Sequence, residues 1–188
     1  MKKSIYKCFI FFTVVMMAIA VFGCDAEVDP VVDYENKLDD ININERFDDF
    51  TGEINEISAL LMQDLEDTNA DAMENTKTKT NELINDVESL KNEVENLDIS
   101  DEKVVNANYY LADYLRNIGE ALKRYDQMLD AMVEFKDLED DLDAGNIPEN
   151  FEEIIDEVTE KINTAENEAL VYFEIAGENL ADWSEALE

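Results

Sequence analysis

The chain contains no histidine, two cysteines and two prolines, and it has only 14 basic residues against 48 acidic ones. Its 188 residues therefore carry a formal charge of -34 and are enough for one domain. Without histidine, the chain lacks the usual general base of neutral-pH catalysis and the commonest metal ligand. This excludes a Ser-His-Asp triad, a Cys-His pair and any histidine-containing zinc or di-iron site. The acidic excess argues against a nucleic-acid partner, because phosphate backbones are bound by Lys and Arg.

The first residues combine a basic start with a short apolar run. Three Lys within the first seven residues precede an apolar stretch from 8 to 22 that only Thr13 interrupts. A run of about 15 residues is shorter than the roughly 20 that a membrane-spanning helix needs. A basic start, a short apolar centre and a small residue at the end are typical of a secretory signal peptide.

The end of this run, Val21-Phe22-Gly23-Cys24, resembles the lipobox of bacterial membrane lipoproteins. The resemblance covers residues 1–24 and no family is identified for the rest. It implies that residues 1–23 are a cleaved signal peptide, that Cys24 is the site of lipid attachment, and that the chain is held at the extracytoplasmic face of the cell membrane. Asp25 resembles the inner-membrane retention signal of enterobacterial lipoproteins. The alternatives are an ordinary secretory signal or an uncleaved anchor.

Removal of this segment would leave 11 basic against 48 acidic residues in 24–188, a formal charge of -37. Cys8 would be lost with the signal, so Cys24 would be the one remaining cysteine. No disulfide, thiolate nucleophile or cysteine metal site could then form. We therefore predict no catalytic, cofactor-binding or metal-binding residues in the mature chain.

Apolar residues recur at helical spacing over four segments, which predicts an all-α, antiparallel helical bundle. The clearest seam, from Met73 to Leu97, alternates steps of three and four residues. A wider stripe between Ala107 and Leu142 predicts a helix that is buried against more than one neighbour. After a lipidated tether at 24–29, the acidic bundle domain spans 30–188. Its helices are expected at about 30–67, 70–97, 101–143 and 149–187.

Helix boundaries are indicated by capping residues. Asp29-Pro30 predicts the start of the first helix, with Asp29 as N-cap and Pro30 at the first helical position. Asp98-Ile99-Ser100 offers capping residues before the third helix, and Gly145 with Pro148 predicts the end of that helix. The only hint of a strand is the alternation Ile41-Asn42-Ile43-Asn44.

The join between the first two segments is polar but contains neither Gly nor Pro, so it leaves two architectures open. A turn at 66–71 gives four antiparallel helices. A continuous bent helix over about 30–97 gives three, but that helix would be on the order of 100 Å long and half of it would lack neighbours. Four helices are therefore favoured over three.

Two acidic segments have some likeness to calcium loops. Residues 67–71 match the opening of an EF-hand, but Ala72 and Thr78 stand where the loop needs Gly and a bidentate Glu. Around 140–145 the Gly is present, but Leu142 and Ala144 occupy ligand positions, which indicates a helix end. Neither segment predicts a metal site.

The paired carboxylates lie mostly off the apolar stripes, at 39–40, 48–49, 139–141 and 152–153. Acid–base catalysis needs carboxylates in a dry cleft, so solvated pairs predict surface charge. Diffuse binding of divalent cations or cationic peptides stays open.

Aromatic and arginine side chains give the remaining candidates. Antiparallel pairing about residue 146 places Tyr125 opposite Tyr172, and Tyr109 or Tyr110 opposite Trp183, as core in preference to a ligand pocket. Glu120 and Arg124 have the spacing of a helix-surface ion pair. An anionic ligand held by Arg116 and Arg124 is disfavoured by the negative field.

These features favour a non-enzymatic, membrane-anchored extracytoplasmic lipoprotein whose bundle is an interaction or structural module of the cell envelope. It would touch the membrane through its lipid and meet a protein partner whose identity the sequence does not indicate. The alternative is a binder of cations or cationic peptides. A remote alternative is an enzyme with a buried carboxylate site.

Overall fold

A computed structural model describes residues 29–61 and 70–188. Within these residues the chain forms five α-helices and no β-strand, so the predicted all-helical class is confirmed. The helices are α1 (Pro30–Asp40), α2 (Ile43–Leu61), α3 (Ala70–Glu95), α4 (Glu102–Asp143) and α5 (Phe151–Leu187).

The helix ends follow the capping chemistry closely. The Asp29 carboxylate accepts a hydrogen bond from the Val31 amide at 3.0 Å, and Pro30 opens α1 as predicted. The N-cap of α4 is Asp101, which lies just past the predicted capping residues and accepts from the amides of Lys103 and Val104. At the end of α4, Gly145 has a φ of 81°, the left-handed conformation that Gly adopts without strain.

The predicted first segment is interrupted at Ile41 and Asn42, and the suggested strand there is absent. Asn42 has a φ of 54°, and α2 begins at the next residue. In a continuous helix, residues 41 and 43 would point about 200° apart. The break lets both isoleucines reach the core, with Ile43 only 4% exposed and Ile41 packed against the same cluster. The alternation therefore marks a helix break.

The core consists of the predicted seams. Leu83, Val87, Leu90 and Val94 of α3 are at most 1% exposed, and so are the α4 residues Leu111, Leu115, Leu122 and Leu129. At about 25 cal/mol per Å² of apolar surface, each such side chain contributes on the order of 1.5–3 kcal/mol relative to solvent exposure. Thr80 is the one polar residue within this seam that is fully buried, and its hydroxyl donates to the Thr76 carbonyl at 2.8 Å.

Helix α4 lies at the centre of the bundle, as its wide stripe predicts. It packs most extensively against α5, then against α3, and it also contacts α1. Asn81 and Lys77 of α3 contact Asp126 and Asp130 of α4, so residue numbers fall along one helix as they rise along the other. Helix α5 likewise runs antiparallel to α4, because Arg124 pairs with Glu168 while Lys103 bonds to the carbonyl of Leu187.

Contacts between α2 and α3 bring the first half of the chain into the same bundle. Arg46 pairs with Glu93 at 2.9 Å, and Lys79 pairs with Glu56 at 2.8 Å. The connection between these helices, residues 62–69, lies outside the described residues, and with it most of the first EF-hand-like segment.

Candidate functional site

The predicted site of lipid attachment, Cys24, lies outside the described residues, as do the predicted signal peptide at 1–23 and most of the tether. The described chain begins at Asp29, the N-cap of α1. In the described ranges, no helix combines the length and the apolar character that crossing a membrane requires.

The predicted surface carboxylates are where the sequence places them. Asp39, Asp40, Asp48 and Asp49 are exposed, as are the pairs at 140–141 and 152–153. Glu139 is partly buried and pairs with Lys136 at 2.9 Å. Over the residues that the structure describes, Asp, Glu and Cys side chains form no group of three that could hold a metal ion. The segment around 140–145 ends α4, as expected.

Basic side chains are scarce, and the bundle uses every one of them internally. Ten of the eleven Lys and Arg in 29–188 form ion pairs with carboxylates, and Lys103 donates to a main-chain carbonyl. Arg116 is shared between Asp113 and Glu95. In the described part of the chain, each guanidinium that could attract an anionic ligand is therefore already engaged by a carboxylate.

The predicted pair of Glu120 with Arg124 is wrong. Glu120 pairs with Lys123 at 2.7 Å instead, and Arg124 crosses to α5, where its Nε lies 3.1 Å from a carboxylate oxygen of Glu168. The Arg124 guanidinium also lies 5.9 Å from the ring centre of Tyr172, a cation–π distance. Arg124 therefore links the two longest helices.

The aromatic side chains are core and rim, with different partners from those predicted. The Tyr125 ring contacts the Phe173 ring in a tilted arrangement, with 5.5 Å between ring centres, one residue from the expected Tyr172. Tyr109 and Tyr110 contact one another at 6.1 Å, and Tyr109 is 59% exposed. The side chain of Trp183 instead approaches Tyr34 on α1.

A partly buried polar contact near the start of α4 has no counterpart in the apolar pattern of the sequence. The Tyr34 hydroxyl donates to Oδ1 of Asn108 at 3.2 Å, and Nδ2 of Asn108 donates to the Val94 carbonyl at 2.9 Å. Burial raises the pKa of the Tyr34 phenol well above its ordinary value, although the nearby Trp183 indole lowers it in part. The indole N–H is itself buried and lacks a well-formed hydrogen bond. Helical spacing identifies Tyr34 as core but gives no signal for its polar partner.

A shallow groove of about 410 Å³, the basal groove, opens beside this contact. It is lined by the first turns of α1 and α4 and by the loop before α4, at Pro30, Asp33, Tyr34, Lys37, Ile99, Ser100, Asp101 and Val104. Lys37 is held at its edge by Asp33 and by the Asp98 carbonyl, each at 2.6 Å. The starts of α1 and α4 therefore share one end of the bundle.

A smaller groove of about 240 Å³, the lateral groove, lies between α2 and α3 and is lined by Arg46, Asp49, Phe50, Glu53 and Asp86. Partial burial raises the pKa of the Glu53 carboxyl above its ordinary 4.5; Asp86 and Asp49 add to this effect, and Lys79 opposes it. Asp49, Glu53 and Asp86 are all exposed, so water solvates them. Such a groove attracts cations weakly and lacks the dry setting of a catalytic carboxylate pair.

No protein-family model, curated protein or solved structure shows significant similarity to the chain. The described residues form an all-helical bundle with an acidic surface and internally engaged bases, and the basal and lateral grooves open on its surface.

Proposed function

We propose that the protein is a membrane-anchored extracytoplasmic lipoprotein whose helical bundle is a non-enzymatic interaction module of the cell envelope. The observation that carries this proposal is the lipobox-like sequence ending at Cys24, five residues before a capped helix start at Asp29. A tether of this length spans on the order of 15–20 Å when fully extended. It would therefore keep the end of the bundle where α1 and α4 begin close to the lipid headgroups.

The interior of the bundle supports a non-enzymatic role. Among the buried residues of 29–61 and 70–188, Thr80 is the one without an apolar body, and its hydroxyl donates to a main-chain carbonyl; the hydroxyl of buried Tyr34 donates to Asn108. An enzyme of this composition would need carboxylates in a dry cleft, and the carboxylates around the lateral groove are solvated. The surface, with its acidic side chains and internally engaged bases, is better suited to binding a partner.

We also propose that the chain turns between α2 and α3, so that the bundle has four members, with α1 and α2 as one interrupted member. The ion pairs of Arg46 with Glu93 and of Lys79 with Glu56 support this count. A continuous helix across 62–69 would carry α2 away from these partners.

The anchor is tested by expressing the full chain in a bacterium and measuring the mass of the membrane-bound product. We expect residues 1–23 to be absent and Cys24 to carry a diacylglyceryl group. Cys24→Ser should abolish acylation, and the matched control Cys8→Ser should not, because Cys8 lies within the removed segment. Unmodified Cys24 in the wild-type product would overturn the anchor.

A second candidate function, binding of cations or cationic peptides, is favoured by the exposure of the carboxylates. Calorimetry with Ca²⁺ at about 0.15 M salt, where charges more than about 8 Å apart are screened, separates a defined site from diffuse attraction. Saturable heat with a fixed stoichiometry would support a site. The absence of both heat and a shift in melting temperature would remove this candidate for Ca²⁺.

A further inference from the structure

The end of the α4–α5 hairpin has fewer described helices packed against it than the rest of the bundle. Lys77 is level with Asp130 and Asn81 with Asp126, so the first residue of α3, Ala70, is level with about residue 137 of α4. Beyond that level, the described helices are α4 and α5 alone. We call residues 138–156 the distal hairpin.

The apolar seam of the distal hairpin is only partly covered. Its large apolar side chains are half-buried, and Ile147 at the tip is 66% exposed; the half-buried ones are Leu138, Leu142, Phe151, Ile154 and Ile155. None of these belongs to either core cluster. By contrast, Leu111, Leu122 and Leu129, lower on the same helix, are fully buried. When only two helices pack together, each covers part of the apolar face of the other, and the rest of each apolar face stays accessible to solvent.

The charge around this open seam has a single sign. Residues 138–156 contain eight Asp and Glu and no Lys or Arg. The ion pairs in 29–61 and 70–188 reach this segment only at Glu139, through Lys136. Acidic side chains of both helices therefore flank the partly covered apolar seam.

This segment is also the part of the bundle farthest from the predicted anchor. Helix α4 has 42 residues and is about 63 Å long. Its first residues share the basal groove with Pro30, next to the tether, so the distal hairpin lies about 60 Å away at the opposite end.

We propose that the distal hairpin is a docking surface for a basic amphipathic helix of a protein partner. The apolar face of such a helix completes the seam of α4 and α5 as a third neighbour, and its Lys and Arg meet the flanking carboxylates. A second copy of this chain is disfavoured, because two surfaces of eight excess negative charges repel each other. An anionic lipid surface is disfavoured for the same reason.

The proposal names the partner class for the interaction module proposed above, but it does not depend on the lipid. The described members of both core clusters lie within residues 31–187, so the chain from residue 24 onward retains all of them. Binding can therefore be measured on unacylated 24–188, and acylation of Cys24 is measured separately by mass. A negative result for peptide binding would therefore not contradict the lipid anchor, and a negative result for acylation would not contradict the docking surface.

The probe is a synthetic amphipathic helix of Leu and Lys, about 14 residues long, titrated at about 0.15 M salt to suppress diffuse attraction. The control peptide keeps every Lys and replaces every Leu with Ser. We expect the Leu-containing peptide to bind with one-to-one stoichiometry and at least about tenfold more tightly than the control, because only the former closes the seam.

Matched variants of the protein locate the site. Ile147→Ser with Phe151→Ser should weaken binding by about tenfold, because apolar contact in the seam is lost. The control pair Val171→Ser with Ile175→Ser removes two exposed apolar side chains of α5 that lie outside the distal hairpin, and it should change binding by less than about twofold. Circular dichroism verifies that each variant is folded.

Charge variants separate docking from general attraction. Asp140→Asn, Asp141→Asn and Glu152→Gln together should weaken binding about fivefold or more, and Glu178→Gln, Asp182→Asn and Glu185→Gln together should weaken it far less. Equal losses from the two triples, or no preference for the Leu-containing peptide, would overturn the proposal in favour of diffuse attraction. A dimer that Ile147→Ser dissolves would overturn it in favour of a second copy.

Discussion

Asn42 is the residue on which the geometry of the first half depends. Its φ of 54° lies in the left-handed region, where a side chain with a β-branch clashes with the backbone and where Asn is tolerated. Its carbonyl accepts a hydrogen bond from the Arg46 amide at 3.1 Å, which starts α2 immediately after the break. The direction of α2 therefore follows from this one backbone conformation.

Substitution of Asn42 tests this dependence. Asn42→Gly should leave the free energy of unfolding nearly unchanged, and Asn42→Val should lower it by about 1–2 kcal/mol, measured by urea titration. The control is Asn44→Val, an exposed position in α2 where Asn and Val have similar helix propensities. Equal losses at 42 and 44 would contradict a role for the left-handed conformation.

Tyr34 is the second residue with a specific role, because its hydroxyl provides the hydrogen bond to Oδ1 of Asn108 in the partly buried contact. Tyr34→Phe keeps the ring but leaves that oxygen without its donor, so we expect a loss of about 1–2 kcal/mol of stability. Thermal unfolding of Tyr109→Phe provides the comparison, since Tyr109 is 59% exposed and should be neutral. An unchanged stability of Tyr34→Phe would contradict a stabilising role for this hydrogen bond.

At the scale of the helices, the scarce bases act as links between neighbours. Arg46 and Lys79 join α2 to α3, Lys77 and Arg116 join α3 to α4, and Arg124 and Lys161 join α4 to α5. Exposed ion pairs contribute only about 0.2–1 kcal/mol each. Apolar burial therefore dominates the stability, and the ion pairs help to choose which helices are adjacent.

Arg124 should contribute more to the free energy of unfolding than a basic residue that pairs within its own helix. Arg124→Gln removes both the link to Glu168 and the contact with Tyr172, so we expect it to lower stability by about 1 kcal/mol. Lys123→Gln, which breaks only the pair with Glu120 three residues earlier, should cost no more than a few tenths of a kcal/mol. A double-mutant cycle of Arg124 with Glu168 measures the coupling, and a zero value would contradict the link.

Helical period predicted the seams and most helix ends, because both depend on local spacing and capping. The seam from Met73 to Val94 is buried as expected, and Gly145 ends α4. The partners of Arg124 and Asn108 could not be obtained in this way, since they depend on the rotation and height of one helix against another. The break at Asn42 left a signal, the alternating isoleucines, but that signal is shared with a strand.

At the scale of the whole molecule, partial burial and the crowding of like charges raise the pKa values of individual carboxyls. The pKa values of Glu53 and Asp126 are raised, mainly by partial burial and then by neighbouring carboxylates. A carboxyl whose pKa is higher in the folded state binds its proton more tightly there. The free energy of unfolding therefore increases as the pH is lowered from above the folded-state pKa to the unfolded-state pKa. The same stability is lost as the pH rises through this interval.

Glu53→Gln should accordingly flatten the dependence of stability on pH. For the wild type we expect the unfolding free energy to rise as pH is lowered from 7 towards the ordinary Glu pKa of 4.5. The variant should show a smaller rise, with the difference between the two proteins confined to that window. Urea titrations at several pH values measure it, and Glu178→Gln, on the outer face of α5, is the control. A steeper dependence in Glu53→Gln would refute the sign of the shift.

The net charge should make the stability of the folded bundle depend strongly on salt. Salt has two opposed effects here: it screens about ten stabilising ion pairs of at most about 1 kcal/mol each, and it screens repulsion among a charge excess of -37 in 24–188. Packed helices are about 8–10 Å apart, well inside the screening length of about 30 Å at 0.01 M and outside that of about 3 Å at 1 M.

Because repulsion acts among all these charges while attraction is limited to a few contacts, the repulsive effect should dominate. We expect the melting temperature to rise by more than about 4 °C between 0.01 M and 1 M NaCl, equivalent to a gain of at least about 1 kcal/mol. Neutralising Asp140, Asp141 and Glu152 should reduce this rise, since fewer charges remain to be screened. A melting temperature that stays flat or falls with salt would mean that the ion pairs between helices contribute more than the excess charge takes away.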